Sequence, residues 1–145
     1  MSGADRIAQL ERIMDLLGFP KSAGMRLVSA EPGKVTMALA KRPELTQFFG
    51  HFHGGVITAL ADQAAGMAVT SSLPKGRIGV TVELKINFLE PASGTELLAR
   101  AKTLKMSGSI GVATVEIFSK DGGAETLCAF CTATMRAMDL PAEFK

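Results

Sequence analysis

Apolar residues recur at helical spacing along the first twenty positions of the chain. The series is Ile7, Leu10, Met14 and Leu17. Ser2 and Asp5 have the spacing of a capping box, in which each side chain bonds the backbone N–H of the other residue. Gly18 and Pro20 then interrupt the series. The pattern predicts an N-terminal helix within residues 1–20.

The pattern then alternates between strand and helix. Two short strand-like runs, GMRLVSAEPG and KVTMALAK, are separated by the turn residues Pro32-Gly33. A loop leads into a helix from about Gly55 to Ser71, which is apolar nearly all round and is therefore predicted to be enclosed. From Val80 to Phe88, apolar and polar residues alternate as in a half-buried strand. Turn residues separate three further predicted strands, at about 96–105, 110–119 and 125–137.

This order of elements predicts one domain of the α+β class. Four consecutive strands joined by short turns favour an antiparallel sheet, with the central helix packed on one face. A chain of 145 residues can bury a core of its own, and no linker or repeat divides it. We therefore expect a single domain over residues 1–145, with its core at about 24–138.

Composition excludes several classes of function. The formal charge of +2 is too small to indicate binding to nucleic acid or to a membrane surface. The N-terminus lacks an apolar secretory core, and no apolar run can span a bilayer, so a cytoplasmic location is predicted. Cys128 and Cys131 form a C-x-x-C within a strand-like run, where this spacing directs the two side chains to opposite faces. Buried thiols are therefore favoured over a redox or zinc site.

Asp62 is a lone carboxylate in the middle of the apolar helix. At 100° per residue its face holds small or slender side chains, namely Gly55, Thr58, Ala59, Ala65, Gly66 and Val69. A buried carboxylate needs hydrogen-bond partners, water or a chemical task. From this argument alone, a structural and a functional role for Asp62 are both open.

The start of the same helix favours the functional role. Gly54 and Gly55 leave backbone N–H groups unscreened where the helix dipole favours negative charge, as an oxyanion site requires. A donor-rich helix start and a carboxylate two turns later are the groups that acyl transfer needs. His51 and His53 with Asp62 would supply three metal ligands, but no fourth is indicated. No metal site is predicted, and His53 is expected to orient the turn.

The motif around this helix resembles a known family. Its residues are Gln47, Gly50, His53-Gly54-Gly55, Leu60, Asp62, Ala64 and Gly66. They resemble the signature of hotdog-fold acyl-CoA thioesterases of the PaaI-like, phenylacetate-pathway type, and the resemblance covers about residues 24–138. It implies an antiparallel sheet wrapped around the central helix. It also implies homodimers joined edge to edge with shared active sites, often paired into tetramers.

The resemblance also implies a reaction and roles for particular residues. Acyl-CoA would be hydrolysed to a free acid and coenzyme A, without metal or organic cofactor. Asp62 matches the catalytic carboxylate, as nucleophile or as general base, and the Gly54 N–H matches the donor that polarises the thioester carbonyl. Gln47 would bind that carbonyl or position the water, and Thr81 would help to orient the water.

Substrate contacts are less clearly specified by the motif. His53 and Gly55 belong to the helix entry, and Phe48 with its neighbour Phe49 favours an aromatic or medium-chain acyl group. Many relatives carry a basic residue after the glycine that corresponds to Gly108, where it contacts the phosphates of coenzyme A. This chain has Ser107-Gly108-Ser109 instead. The expected phosphate contacts are therefore Lys105, Lys102 or Arg77, together with Ser107 and Gly108.

Two other functions are alternatives to thioester hydrolysis. A hotdog dehydratase would place a Glu five residues after Gly55, where this chain has Leu60. A non-catalytic module that binds acyl-CoA and regulates another process is disfavoured by the presence of Asp62 with Gln47. From the sequence alone, such a binding module remains an open alternative.

Overall fold

The computed structural model describes residues 2–16 and 18–145. Its first helix, α1, spans Gly3–Leu16. The capping box is confirmed, because the Asp5 N–H donates to Ser2 Oγ (3.1 Å) and the Ser2 N–H donates to Asp5 Oδ2 (2.9 Å). The hydrogen bond from the Ser2 side chain lowers the pKa of Asp5. Leu17 lies outside the described residues.

A short second helix, α2, follows at Phe19–Ala23, where the sequence predicted only an interruption. Pro20 stands in its first turn, a position that does not require a backbone N–H. Gly18 is the N-cap residue of α2, so Gly18 and Pro20 mark the start of a second helix. The three buried residues of α1, Leu10, Ile13 and Met14, join the main core.

The described residues form one antiparallel sheet in the order β1-β2-β4-β5-β6-β3. The strands are β1 (Arg26–Glu31), β2 (Lys34–Ala40), β3 (Arg77–Phe88), β4 (Glu96–Ser107), β5 (Ile110–Asp121) and β6 (Ala124–Asp139). Every strand predicted from the sequence is confirmed; β1 and β2 are shorter than the predicted runs, and β3 to β6 are longer. Gly33, at φ 79°, makes the turn between β1 and β2.

The central helix, α3, spans Gly54–Ser72 and packs against the sheet. Leu60, Ala64 and Met67 on the side opposite Asp62 are buried, so the predicted enclosure is confirmed on that side. The stripe that carries Thr58, Asp62 and Gly66 is only half-buried. Among the described elements, β3 contacts this stripe through Gly79 and Thr81 and covers it only in part.

Strand β3 is an edge strand, with β6 as its only neighbour among the described strands. A register shift against β6 leaves Val82 as an extra residue between Thr81 and Glu83. Val80 and Val82 are 48% and 58% exposed, and Phe88 is 55% exposed. The prediction of a half-buried apolar face is therefore wrong for these residues in one chain, although Leu84 and Ile86 are half-buried as expected. The reason is that an edge position and a bulge leave β3 uncovered.

Both cysteines are fully buried, as predicted. The prediction that they point to opposite faces is wrong, because both belong to the same core. Cys128 is the extra residue where the β5–β6 register shifts between Ile117 and Phe118, and this bulge breaks the two-residue alternation. Burial raises the pKa of each thiol to about 11.

Two further findings bear on function. In the described residues, none of the helices has both the length and the apolar character needed to cross a membrane. Within the same residues, no three His, Cys, Asp or Glu side chains are grouped as metal ligands would be.

Candidate active site

His53 is the N-cap residue of α3. Its Nδ1 accepts a hydrogen bond from the Gly55 N–H (2.8 Å), and its own N–H donates to the Leu45 carbonyl (2.9 Å). The Gly55 N–H is therefore already used, contrary to the expectation that both glycines offer free donors. The Gly54 N–H has no acceptor in the described part of the chain, so it is the donor that remains at this helix start.

Gln47 closes the loop that precedes the helix. Its side-chain Oε1 accepts hydrogen bonds from the Phe49 N–H (2.6 Å) and the His51 N–H (3.3 Å). The backbone N–H of Gln47 also donates to the His51 carbonyl (2.9 Å). These contacts fix the amide group with its oxygen toward the loop. The Nε2 group is left to donate to another molecule.

A cavity of about 620 Å³ opens beside Gly54. Its walls are mostly apolar and are formed by Phe49, Phe52, Ile57, Phe88, Leu89, Pro91 and Ala92, with Gln47, His51, Gly54 and Glu90 as the other lining residues. Phe49 is in this wall, whereas its neighbour Phe48 is outside it and 89% exposed. Of the two neighbouring phenylalanines that the sequence analysis related to the acyl group, only Phe49 lines this cavity.

The sequence did not single out Phe88, Leu89 or Glu90 as site residues. The signal was present in the run NFLEPA, where two exposed apolar residues precede a turn. Periodicity assigned Phe88 to a half-buried strand face, and this concealed its position at the strand end beside Gly54. Only the fold brings the end of β3 to the start of α3.

Asp62 lies in a second, smaller cavity of about 70 Å³, lined also by Thr81, Gly66 and Gly79 among others. The Thr81 hydroxyl donates to Asp62 Oδ1 at 2.6 Å. The structure thus brings together two residues that the sequence assigned to one site. No other hydrogen bond to Asp62 is present among the described residues, so Oδ2 is available for chemistry.

The two parts of the predicted site are separate within one chain. Gly54 and Asp62 are eight residues apart on α3, which corresponds to about 12 Å along the helix axis. We call Gln47, Gly54 and the adjoining cavity the helix-start group, and Asp62 with Thr81 the carboxylate group. One thioester carbonyl cannot contact both groups of the same chain.

The residues expected near phosphates are also separated from one another. Gly108, at φ 60°, and Ser109 form the β4–β5 turn, while Ser107 ends β4 and Lys105 lies two residues before it. Lys102 pairs with Thr114 in mid-strand, away from that turn. Arg77 is already engaged, since its Nε is 3.2 Å from Asp139 Oδ1 and its guanidinium donates to the Ala137 carbonyl (3.1 Å).

Comparison with known proteins identifies similar chains. The thioesterase superfamily model matches residues 49–126. Human acyl-coenzyme A thioesterase 13 is 33% identical over 98 residues, covering 67% of this chain and 69% of that protein. The 1,4-dihydroxy-2-naphthoyl-CoA hydrolase of Listeria monocytogenes is 28% identical over 121 residues, covering 83% and 97%. The PaaI protein from the phenylacetic acid degradation operon of E. coli superposes with a TM-score of 0.83 at 21% identity, covering 97% and 100%.

Proposed function

Because this chain belongs to the thioesterase superfamily and is a thioester hydrolase of the hotdog fold, we propose that it hydrolyses acyl-CoA at sites shared by two protomers. Each site would combine the helix-start group of one protomer with the carboxylate group of the other. The products are a free carboxylic acid and coenzyme A. The acyl group that we propose is aromatic or a medium-length aliphatic chain.

One observation carries the shared site: the separation of about 12 Å between Gly54 and Asp62 along α3. A donor that stabilises an oxyanion must lie about 3 Å from that oxygen. The carboxylate must at the same time be within reach of the carbonyl carbon or of one attacking water. These two requirements cannot be met by groups of a single chain.

An antiparallel pair of α3 helices meets both requirements. Position 58 is midway between positions 54 and 62, so a two-fold axis beside Thr58 would set Gly54 of one helix opposite Asp62 of the partner subunit. Thr58 and Ala59 are small and only half-buried, which permits close approach of two helices. Such a contact is self-complementary and closes as a dimer.

The exposed edge of the sheet supports the same dimer. Strand β3 leaves backbone N–H and C=O groups unpaired along its outer side, together with the exposed Val80 and Val82. Pairing with β3 of a second copy would satisfy those groups and cover both valines. Since Thr81 lies on this strand beside Asp62, the contact would also place the carboxylate group at the interface.

The chemistry follows from the free atoms of each group. The Gly54 N–H and the Gln47 Nε2 group would donate to the thioester carbonyl oxygen, because Gln47 Oε1 is already bonded to the loop. Thr81 holds Asp62 Oδ1, so Oδ2 of the partner subunit's Asp62 would act on the carbonyl carbon or on a water. An attacking water gives one proton to Asp62 and adds its oxygen to the carbonyl carbon. The tetrahedral oxyanion then collapses, the C–S bond breaks, and the sulfur takes a proton to leave as the thiol.

The lining of the larger cavity supports its assignment to the acyl group. Its apolar walls favour transfer of hydrocarbon from water, whereas Glu90 would repel the phosphates of coenzyme A. The name of the Listeria relative indicates an aromatic acyl substrate for that protein. For the phosphates we propose Lys105 with the Ser107–Gly108 turn, since Arg77 is already paired.

Mixed dimers test the shared site directly. Asp62→Asn removes the carboxylate, and Gln47→Glu keeps the acceptor for the loop but removes the Nε2 donor. The homodimer of each variant should have a kcat at least about a hundredfold below that of wild type. The assay measures thiol release from hexanoyl-CoA and phenylacetyl-CoA. After random reassembly of the two variants, half of the dimers are mixed and each mixed dimer holds one intact site. The activity should therefore recover to about a quarter of wild type.

Two outcomes would contradict the proposal. If the mixture stays as inactive as its components while mixed dimers are present, the site belongs to one chain. If the wild-type protein binds acyl-CoA but releases no thiol from any member of the panel, the chain is the non-catalytic module considered from its sequence.

A further inference from the structure

The Phe88 ring lies directly against Gly54, the residue whose N–H is the free donor of the helix-start group. A Cβ atom built on Gly54 would be 3.3 Å from Phe88 Cζ, with Cε1 and Cε2 at 3.6 and 3.8 Å. Apart from the adjacent residues and the nearby backbone of α3, these three ring atoms are the nearest to that position. The end of the ring therefore faces Gly54, and only a residue without a side chain fits beneath it without pressure on the ring.

The same ring is exposed and lines the cavity beside Gly54. Phe88 is 55% exposed, and Phe49 and Leu89 beside the same cavity are 71% and 52% exposed. Exposed apolar surface is unfavourable in water, and a grouping of large apolar residues around a cavity is typical of a binding site. These three side chains form an apolar mouth next to the Gly54 N–H.

Charge determines which end of an acyl-CoA fits this mouth. Among the described residues that line the cavity there is a carboxylate, Glu90, and no Lys or Arg. The anionic nucleotide end of the substrate is therefore disfavoured, and the apolar acyl end is favoured. With the carbonyl oxygen at the Gly54 N–H, the carbon next to the carbonyl must pass beside the Phe88 ring.

From this arrangement we infer that Phe88 determines which acyl groups the enzyme accepts, by excluding a branch at the carbon next to the carbonyl. The inference rests on the proposed function, and it adds a specificity-determining residue and a substrate class to that site. The ring occupies the space that a methyl branch at this carbon would need. An unbranched chain, or a planar group lying along the ring face, passes without overlap.

Two isomeric substrates separate this role from a general effect on activity. Hexanoyl-CoA and 2-methylpentanoyl-CoA contain the same atoms and differ in one methyl branch beside the carbonyl. Wild type should have a kcat/KM at least about tenfold higher for hexanoyl-CoA, because one misplaced methyl group typically changes rates by about 10- to 200-fold. Phe88→Ala should bring this ratio close to one, and Phe88→Leu should give a ratio between those of wild type and Phe88→Ala.

Phe19→Ala is the matched control, since Phe19 is also an exposed phenylalanine but lies on α2, outside the cavity. It should keep the wild-type ratio. The inference is overturned if wild type hydrolyses both isomers equally well, or if the Phe88 variants keep the wild-type ratio. Phe88→Leu decides the matter if Phe88→Ala does not fold. Absence of turnover with every acyl-CoA would instead contradict the proposed function, so the two failures are distinguishable.

Discussion

Replacing Thr81 by Val should slow hydrolysis while leaving the fold and the affinity for substrate nearly unchanged. The Thr81 hydroxyl donates to Asp62 Oδ1 at 2.6 Å, and no other side chain in the described residues bonds that carboxylate. A hydrogen bond to a charged group contributes about 1.5–3 kcal/mol. Thr81 is exposed in a single chain, so we use the lower end of this energy range. A loss of about 1.5 kcal/mol in the transition state corresponds to roughly a tenfold loss of kcat. The assay measures thiol release from hexanoyl-CoA at saturating and at limiting substrate concentrations.

The chain supplies a matched control for this prediction. Thr134 donates to Glu83 Oε1 at 2.7 Å, which is an equivalent bond between a threonine and a carboxylate. Thr134→Val should leave kcat unchanged, and Thr81→Ser should keep most of the wild-type rate because it retains the hydroxyl. Equal kcat values for Thr81→Val and wild type would refute the assignment of Thr81 to the positioning of Asp62. An equal loss in both valine variants would refute it as well.

Three further predictions concern the helix cap, the thiols and the interface. Gly55→Ala should destabilise the fold by about 1 kcal/mol in urea titrations, because its Cβ would be 3.0 Å from His53 Nδ1 and would displace the capping ring; unchanged stability would mean that the cap is dispensable. Between pH 9 and 11 the folded chain holds thiol protons that the unfolded chain has lost, since burial raises the pKa of Cys128 and Cys131 to about 11. Stability should therefore fall as the pH rises through this window, by at most about 2.7 kcal/mol per thiol, and a variant with both cysteines replaced by alanine should lack that fall. Val82→Lys should convert the proposed dimer to a monomer of 15.2 kDa in light scattering and abolish turnover, and a fully active monomer would contradict the shared site.

Periodicity was sufficient to predict most of the fold. The helical series of α1, the alternation in β4 to β6 and the apolar run of α3 each reflect burial on a surface made by the same chain. Such patterns are local in sequence, so they can be interpreted without the structure. The exposed face of β3 shows where this fails, because Val80 and Val82 carry an apolar pattern that no part of their own described chain covers.

The sequence singled out Gln47, Gly54, Asp62 and Thr81 as candidate site residues, but it indicated neither Phe88 nor the spatial arrangement of these groups. The contact of Thr81 with Asp62 joins positions nineteen residues apart through the packing of α3 on β3. The use of the Gly55 N–H by His53 depends on the side-chain rotamer, which the motif does not specify. The place of Phe88 over Gly54 depends on where β3 ends in space. Each of these is a tertiary contact without a periodic signature.

The distance between Gly54 and Asp62 has a consequence for the protein at low concentration. An isolated chain would hold two incomplete halves and no complete site, so its specific activity should decline on dilution below the dissociation constant of the dimer. A newly synthesised chain would remain inactive toward the acyl-CoA pool until it met a second copy. Assembly would thus act as the activation step, and the rate at which hydrolysis appears after synthesis would rise with the square of the chain concentration.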